Sequence, residues 1–305
     1  MGIAKLNKGT GAVFFAVLAF SFAPVFIRIA LAEGMGTEWI ATIRLVLATA
    51  MLALVVLPRK QSRMQFKQVS GKDLVVSLLG ALALAAHFAT WVLAVKYTTA
   101  LASTTLVCLQ IIFVAALSGI LLREKQSWVL LAAVIPAIFG SLLIGGADIV
   151  RLGNSTGAIY ALVSALCIAL YFIAGRVARR NMAVNIYTQI VYGAGALFLL
   201  AYSLLIAKAL PVISFKGLAA VIGLVIVCTF LGHSVANWSL KYVDGVFLSM
   251  MTLLQPLFTL VWAMLIFREY PSLEIYIGTG VILIGLAVYL FIIRRQNIRQ
   301  GLKQR

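Results

Sequence analysis

The sequence predicts an all-α membrane protein with ten transmembrane helices, arranged as two inverted five-helix repeats with both termini in the cytoplasm. Three observations support this prediction: the composition, an internal repeat and the placement of Lys and Arg. Hydrophobic residues make up 63% of the 305-residue chain and charged residues only 11%, whereas a soluble domain carries about a quarter charged residues. The composition is therefore that of a polytopic membrane protein.

The apolar residues fall into ten long runs. The predicted spans lie at residues 11–32, 38–57, 74–95, 99–121, 128–146, 156–176, 186–207, 217–240, 245–267 and 274–293. A helix needs roughly 20 residues to cross the hydrocarbon core, where it satisfies its own backbone hydrogen bonds. Lys5 and Lys8 before the first run resemble the start of a signal peptide. That run has the length of a full span and no small-residue cleavage pattern follows, so we expect a retained helix.

One stretch of the chain occurs twice. Shifted by 145 positions, residues 96–140 fall on 241–285 without a gap. The matches are Lys96-Tyr97 with Lys241-Tyr242, Leu109-Gln110 with Leu254-Gln255, Phe113 with Phe258, Arg123-Glu124 with Arg268-Glu269, Ser127 with Ser272 and Gly140 with Gly285. Polar residues are too rare here for this register to be expected by chance. We therefore predict one five-helix repeat over residues 1–150 and a second over 151–305, which ends in a basic tail.

Lys and Arg are distributed unevenly between alternate connections. Segments on the side of the N-terminus hold most of the 25 basic residues, whereas the intervening segments hold Lys96, Arg151, Lys208, Lys216 and Arg268. The positive-inside rule then places the N-terminal side in the cytoplasm. Because each repeat contains an odd number of spans, the two copies must point in opposite directions. Such inverted repeats are typical of secondary transporters with a site near the midplane.

The net charge of +17 does not predict nucleic-acid binding, because the basic residues sit in short breaks between apolar runs. We expect them to face anionic lipids on the cytoplasmic side. Cys108, Cys167 and Cys228 lie inside apolar runs without metal-ligand spacing. No nucleotide-binding loop or hydrolase motif is present, so we predict no metal, no cofactor and no catalytic residue. The oligomeric state stays open between a monomer and a homodimer.

Several short motifs point to a known family. They are Arg44 in the second span, Arg123-Glu124 and Arg268-Glu269 at the ends of the fourth and ninth spans, Gly140 and Gly285, Ser21-Phe22-Ala23-Pro24, Gly232-His233-Ser234 and Asn237-Trp238. In these features the whole chain resembles the drug/metabolite transporter superfamily, in its ten-helix EamA-type bacterial branch. The resemblance implies a multi-pass protein of the bacterial inner (plasma) membrane. It also implies a central cavity between spans 1, 3, 4, 6, 8 and 9, with spans 5 and 10 packed outside.

Proline marks two candidate hinges, Pro24 in the first span and Pro256 in the ninth. Proline inside a helix removes a backbone hydrogen bond and loosens the helix locally. Members of the family that this chain resembles often have a proline break in both the fourth and the ninth spans. Here the ninth reads Gln255-Pro256 but the fourth reads Gln110-Ile111. The sequence therefore favours Pro256 as a hinge and does not predict symmetric hinging of the fourth and ninth spans.

Arg44 is a charged residue inside a predicted span. A charge at mid-membrane costs about 2.5–3.5 kcal/mol on insertion scales, so it usually faces a cavity or a partner. One interpretation makes Arg44 a clamp for a carboxylate or phosphate at the outer mouth. The other is structural, with Arg44 paired to Glu33 or Glu38 in the adjacent loop.

The remaining cavity candidates are polar or aromatic residues within spans. They are His87, Trp91, Gln110, Tyr160, His233, Asn237, Trp238 and Gln255. The two histidines miss equivalence in the repeat by one position, whereas the two glutamines are equivalent. Each buried polar group either binds substrate or bridges helices, and an imidazole can also relay a proton. Tyr160 is either part of the same route or a packing residue.

The eight acidic residues all fall in loops or at span ends. This placement argues against coupling through a membrane carboxylate. We predict a secondary transporter of a small polar metabolite, an amino acid or related carboxylate, acting as an exporter or facilitator by alternating access. The alternative is a carrier of nucleotide sugars or phosphorylated metabolites. A remote alternative is an integral-membrane enzyme that uses His87 and His233 as acid-base groups, although the loops are short for an acceptor site.

Overall fold

The computed structural model describes residues 3–123, 130–152, 155–207, 209–268, 270 and 272–303. All regular structure within these residues is helical. The helices are α1 Ile3–Ser21, α2 Ala23–Ala32, α3 Thr37–Val56, α4 Lys60–Lys67, α5 Gly71–Tyr97, α6 Ala100–Cys108, α7 Gln110–Leu122, α8 Leu131–Leu152, α9 Thr156–Ala178, α10 Val184–Ile206, α11 Phe215–Gly223, a π-helix Leu224–Ser234, α12 Val235–Ser239, α13 Gly245–Met251, a 3-10 turn Thr252–Leu254, α14 Gln255–Phe267 and α15 Leu273–Lys303.

Nine helical stretches in the described part of the chain are long and apolar enough to cross a membrane. They are Lys8–Ala32, Thr37–Val56, Gly71–Tyr97, Ala100–Leu122, Thr156–Ala178, Val184–Ile206, Phe215–Ser239, Gly245–Phe267 and Leu273–Ile292. The predicted fifth span, 128–146, lies partly outside the described residues, and the apolar part of α8 covers the shorter stretch Val134–Ile144. The all-α prediction is thus confirmed for the described residues, whereas the count of ten spans stays a prediction.

Three spans are interrupted near the middle of the bundle. The first breaks at Phe22, and Pro24 lies in the first turn of α2. The fourth breaks at Leu109, between α6 and α7. The ninth breaks at the equivalent position after the 3-10 turn, and Pro256 lies in the first turn of α14.

The fourth span is thus interrupted at the position equivalent to the break in the ninth, although it has no proline there. The two breaks face each other across the bundle, where the thiol of Cys108 donates a 3.1 Å hydrogen bond to the carbonyl oxygen of Thr252. A carbonyl freed by a helix break inside a membrane needs such a partner. A tertiary contact stabilises this region, so the fourth span needs no proline to break.

The structure repeats itself at the shift of 145 residues. Helices α7 and α14 both have 13 residues. Each ends in a left-handed arginine, Arg123 with φ 55° and Arg268 with φ 54°, and such residues commonly end helices. At the other end of these spans, Thr99 and Asp244 accept hydrogen bonds from the backbone N–H groups of Ala102 and Phe247. The repeated sequence therefore forms repeated local structure.

Equivalent spans run antiparallel to each other. In the pair α3 and α10, Thr42 donates to the carbonyl oxygen of Leu199, and Gln189 donates to that of Thr49. In the pair α8 and α15, a Cβ on Gly278 would come within 2.7 Å of the carbonyl oxygen of Gly140. These two helices belong to a second hydrophobic cluster, distinct from the main core. In the centre, α5 packs on α9, and α1 packs on the π-helix in the equivalent way.

Two opposite faces of the bundle can be defined from contacts between connections. On the terminal face, Asn181 donates to Asp73 at 3.3 Å and Asn185 donates to Ser62 at 3.2 Å. On the far face, the indole N–H of Trp39 donates to the carbonyl oxygen of Ala209 at 3.1 Å. The terminal face is the one that the distribution of Lys and Arg predicts to be cytoplasmic.

Candidate functional site

A small cavity lies where the two halves of the chain meet in the middle of the bundle. Its volume is about 20 Å³, which is room for about one water molecule. Each half supplies five lining residues: Phe20, His87, Trp91, Val107 and Gln110 from the first, and Ile168, Phe172, His233, Thr252 and Gln255 from the second. Five of the predicted site residues are therefore brought together here.

His87, on α5, binds to α9 through Ser164. Its Nδ1 lies 3.1 Å from the carbonyl oxygen and 2.7 Å from the hydroxyl of Ser164, and that hydroxyl donates to the carbonyl oxygen of His87 at 3.2 Å. A neutral ring with its proton on Nδ1 satisfies all three contacts and leaves a lone pair on Nε2. His87 therefore bridges two helices and also lines the cavity, while its role in binding substrate stays a prediction.

His233, at the end of the π-helix, lies among aromatic rings. Its ring centroid is 4.7 Å from that of Phe20, 5.2 Å from that of Phe88 and 6.1 Å from that of His87. The Nδ1 atom is buried and has no hydrogen-bond partner among the described residues. The fold therefore brings the two histidines together, and His233 keeps a free hydrogen-bonding atom.

The two glutamines occupy the first turns of α7 and α14, directly after the helix breaks. The amide nitrogen of Gln110 donates to the hydroxyl of Thr252 at 2.8 Å, and Gln255 is buried against the same cavity. The Oε1 of Gln110 and the indole nitrogen of Trp91 have no partner within the described part of the chain. Leaving a buried polar atom unpaired costs about 1–3 kcal/mol, so both atoms have unused hydrogen-bonding capacity.

Arg44 lies inside the bundle rather than at an outer mouth. Its side chain is 1% exposed, its Nε donates to the hydroxyl of Thr229 at 2.9 Å, and its guanidinium lies 3.9 Å from the ring centroid of Phe88. The predicted pairing with Glu33 or Glu38 is wrong, because the side chain points to the π-helix and the carboxylate of Glu38 instead accepts from Thr37 at 3.0 Å.

The surroundings of the Arg44 guanidinium are unusual for a buried cation. Among the described residues it interacts electrostatically with Tyr171, Tyr192, Cys228 and the two cavity histidines, none of which is a carboxylate. The Nη2 atom has no partner among those residues. A buried charge is costly unless it is paired. Because Phe88 contacts both Arg44 and His233, this guanidinium lies one aromatic ring away from the cavity.

The π-helix carries Thr229, which accepts the hydrogen bond from Arg44, and His233, which lines the cavity. The hydroxyl of Thr229 donates to the carbonyl oxygen of Leu224, five residues earlier, at 3.1 Å. A Cβ on Gly232 would lie 2.7 Å from the ring of Phe20, so α1 approaches this helix closely. π-helices are rare and occur frequently at functional sites. No pattern in the sequence indicates this element, and Thr229 was missed for that reason.

Three predicted residues lie away from the cavity. Asn237 is fully buried and donates to the hydroxyl of Tyr171. Trp238 packs against Tyr242 near the terminal face, with the rings tilted and their centroids 4.6 Å apart. Tyr160 stacks on Tyr97 with centroids 6.1 Å apart, which fits the packing interpretation. Conversely, sequence reasoning missed Thr252, Phe20 and Ser164, since hydroxyls and phenyl rings within apolar runs do not stand out.

Comparison with known proteins identifies the family but not a substrate. A model of the EamA-like transporter family matches residues 7–146 and 155–291. No curated protein matches the sequence. A solved crystal structure of a protein with 18% sequence identity superposes with a TM-score of 0.70, covering 95% of this chain and 99% of that one; at this identity the likeness concerns the fold. The chain therefore belongs to the EamA-like transporter family, in the drug/metabolite transporter superfamily.

Proposed function

We propose that the protein is a secondary transporter that moves a small amino acid or related carboxylate by alternating access across the bacterial plasma membrane. The observation that supports this most directly is the central cavity, to which each half contributes five side chains. A site shared by two antiparallel halves can be exposed to either side by rocking one half against the other. We take the halves to be the five-helix repeats 1–150 and 151–305.

The substrate class follows from the polar groups at the site. The amide of Gln110 and the imidazole of His233 offer unpaired atoms to a polar ligand. Arg44 supplies a buried positive charge without a carboxylate neighbour in the described residues, which favours an anionic group on the substrate. No Lys or Arg is among the residues that line the cavity. The site therefore suits one carboxylate better than the phosphates of a nucleotide sugar.

The cavity of about 20 Å³ is too small for any metabolite, so it must widen during transport. The helix breaks at Leu109 and Leu254 lie beside it and have equivalent positions in the two halves. Such breaks let the two parts of a span move separately. Pro24 and Pro256, each in the first turn after a break, keep the helix loosened there. We assign these helix breaks, with Pro24 and Pro256 beside them, as the hinges.

Counterflow in liposomes tests the proposal. The purified protein is reconstituted in vesicles loaded with an unlabelled amino or organic acid, and the accumulation of each radiolabelled amino or organic acid is measured. We expect accumulation of at least one, and a loss of more than tenfold in Gln110→Ala and Gln255→Ala. Gln189→Ala is the matched control, because Gln189 contacts the Thr49 carbonyl oxygen away from the cavity. No accumulation of any amino or organic acid, or an equal loss in the control, would contradict the proposal.

A further inference from the structure

A second pocket opens on the terminal face, at the end of α9 and beside the connection between α12 and α13. Its volume is about 380 Å³, within the range of small-ligand sites. Its polar lining consists of Arg176, Arg179, Arg180, Lys241, Tyr242 and Asp244. Four cationic side chains thus surround a concave space together with one carboxylate.

The one carboxylate offsets only one of the four positive charges of this pocket. The Oδ1 of Asp244 accepts a 2.7 Å hydrogen bond from the backbone N–H of Phe247, and so caps α13. Arg180 and Lys241 are exposed and line the pocket. A concave surface in which positive charges outnumber negative ones raises the local concentration of anions.

Arg179 differs from Arg180 and Lys241 because its side chain is buried in the protein. Its side chain is only 9% exposed, one of its terminal nitrogens donates to the carbonyl oxygen of Met182, and its Nε has no partner among the described residues. Burial lowers the pKa of Arg179, because a cation loses hydration inside the protein. A partly buried guanidinium with an unused N–H gains from an anion that reaches it.

The position of the pocket suits a lipid headgroup. Tyr242 lines it and packs against Trp238, and Trp and Tyr are enriched at the level of the headgroups. Basic pockets at the ends of transmembrane helices bind anionic headgroups, and paired guanidinium groups match the geometry of a phosphate.

We propose that this terminal-face pocket is a phosphate-binding site, separate from the transport site, which accepts the phosphate of an anionic lipid headgroup or of a soluble compound. The inference does not depend on the transported substrate.

Thermal unfolding of the purified protein tests this site and separates the two sources. One arm uses phosphatidylcholine nanodiscs with and without phosphatidic acid, and the other uses detergent solution with and without inorganic phosphate at constant ionic strength. A ligand that binds only the folded protein raises the Tm. We expect a rise of several degrees in the lipid arm, the phosphate arm or both, and the arm that responds identifies the source.

The variants make the site assignment specific. Arg180→Gln/Lys241→Gln removes two exposed charges, so it is expected to fold, and it should abolish the Tm rise. Arg179→Gln should also reduce it. The control Arg59→Gln/Arg63→Gln removes the same charge from exposed positions outside the pocket and should keep the full rise. The proposal fails if neither ligand raises the Tm of the parent, or if the control loses the rise as fully as the pocket variant.

Discussion

The Nε of Arg44 donates a 2.9 Å hydrogen bond to the hydroxyl of Thr229, which joins the second span to the π-helix in the interior of the bundle. The same guanidinium lies on the ring of Phe88, and Phe88 in turn contacts His233. One buried cation is thus connected through a single aromatic ring to the cavity between the two halves.

Arg44→Met should fold and should not bind an anionic substrate. Replacing a buried charge by an apolar side chain of similar size is often neutral or stabilising, but it removes the attraction for a carboxylate. We expect an unchanged or higher Tm and a loss of at least tenfold in counterflow. Arg28→Met is the control, because Arg28 lines a pocket on the far face, and its transport should stay within about twofold. Full counterflow in Arg44→Met would show that this cation is structural.

The two histidines should respond differently to substitution. His87→Phe breaks the contacts with Ser164 and leaves buried groups unpaired, which costs about 1–3 kcal/mol. His233→Phe removes a ring whose Nδ1 has no partner in the described residues, so its Tm should change little. Both variants should lose counterflow. Thermal unfolding and transport are measured on the same preparations. Equal losses of Tm in the two variants would contradict the different roles assigned to the rings.

The break in the ninth span should survive the removal of its proline. Leu109 breaks the fourth span without one, so Pro256→Ala should keep the fold and the Tm, with slower counterflow as the helix stiffens. Thr252→Val removes the acceptor for Gln110 and should weaken substrate binding instead. Initial rates over a range of substrate concentrations separate the two effects. A raised KM in Pro256→Ala, without a change of maximal rate, would count against a hinge at this position.

The crossing of α8 and α15 should tolerate no side chain at its contact. A valine at Gly278 would collide with the backbone of Gly140, and overpacking of this kind costs about 1–3 kcal/mol. Gly280→Val is the matched control on the same helix, because nothing lies within 4 Å of a Cβ there. We expect a lower Tm in Gly278→Val than in Gly280→Val. Similar values would show that the two helices separate without cost.

The sequence by itself determined the all-α membrane class, the family and the internal repeat, because each depends on local properties. Long apolar runs have one low-energy solution in a bilayer, the helix. The repeat of Gln110 at Gln255 is visible along the chain, and so are the ends of α7 and α14 at Arg123 and Arg268. These features need no knowledge of which helices are neighbours.

Only the tertiary structure decided how the polar residues are used. The break at Leu109 is accompanied by a contact between Cys108 and Thr252, and the interior position of Arg44 depends on a π-helix 185 residues further on. Contacts between distant spans set which polar groups meet, and spacing along one helix does not report them. Gln110, His87 and His233 could be found as candidates because such polar side chains stand out within an apolar run. The role of Thr229 depends on its contact with Arg44, so it is visible only in the folded protein.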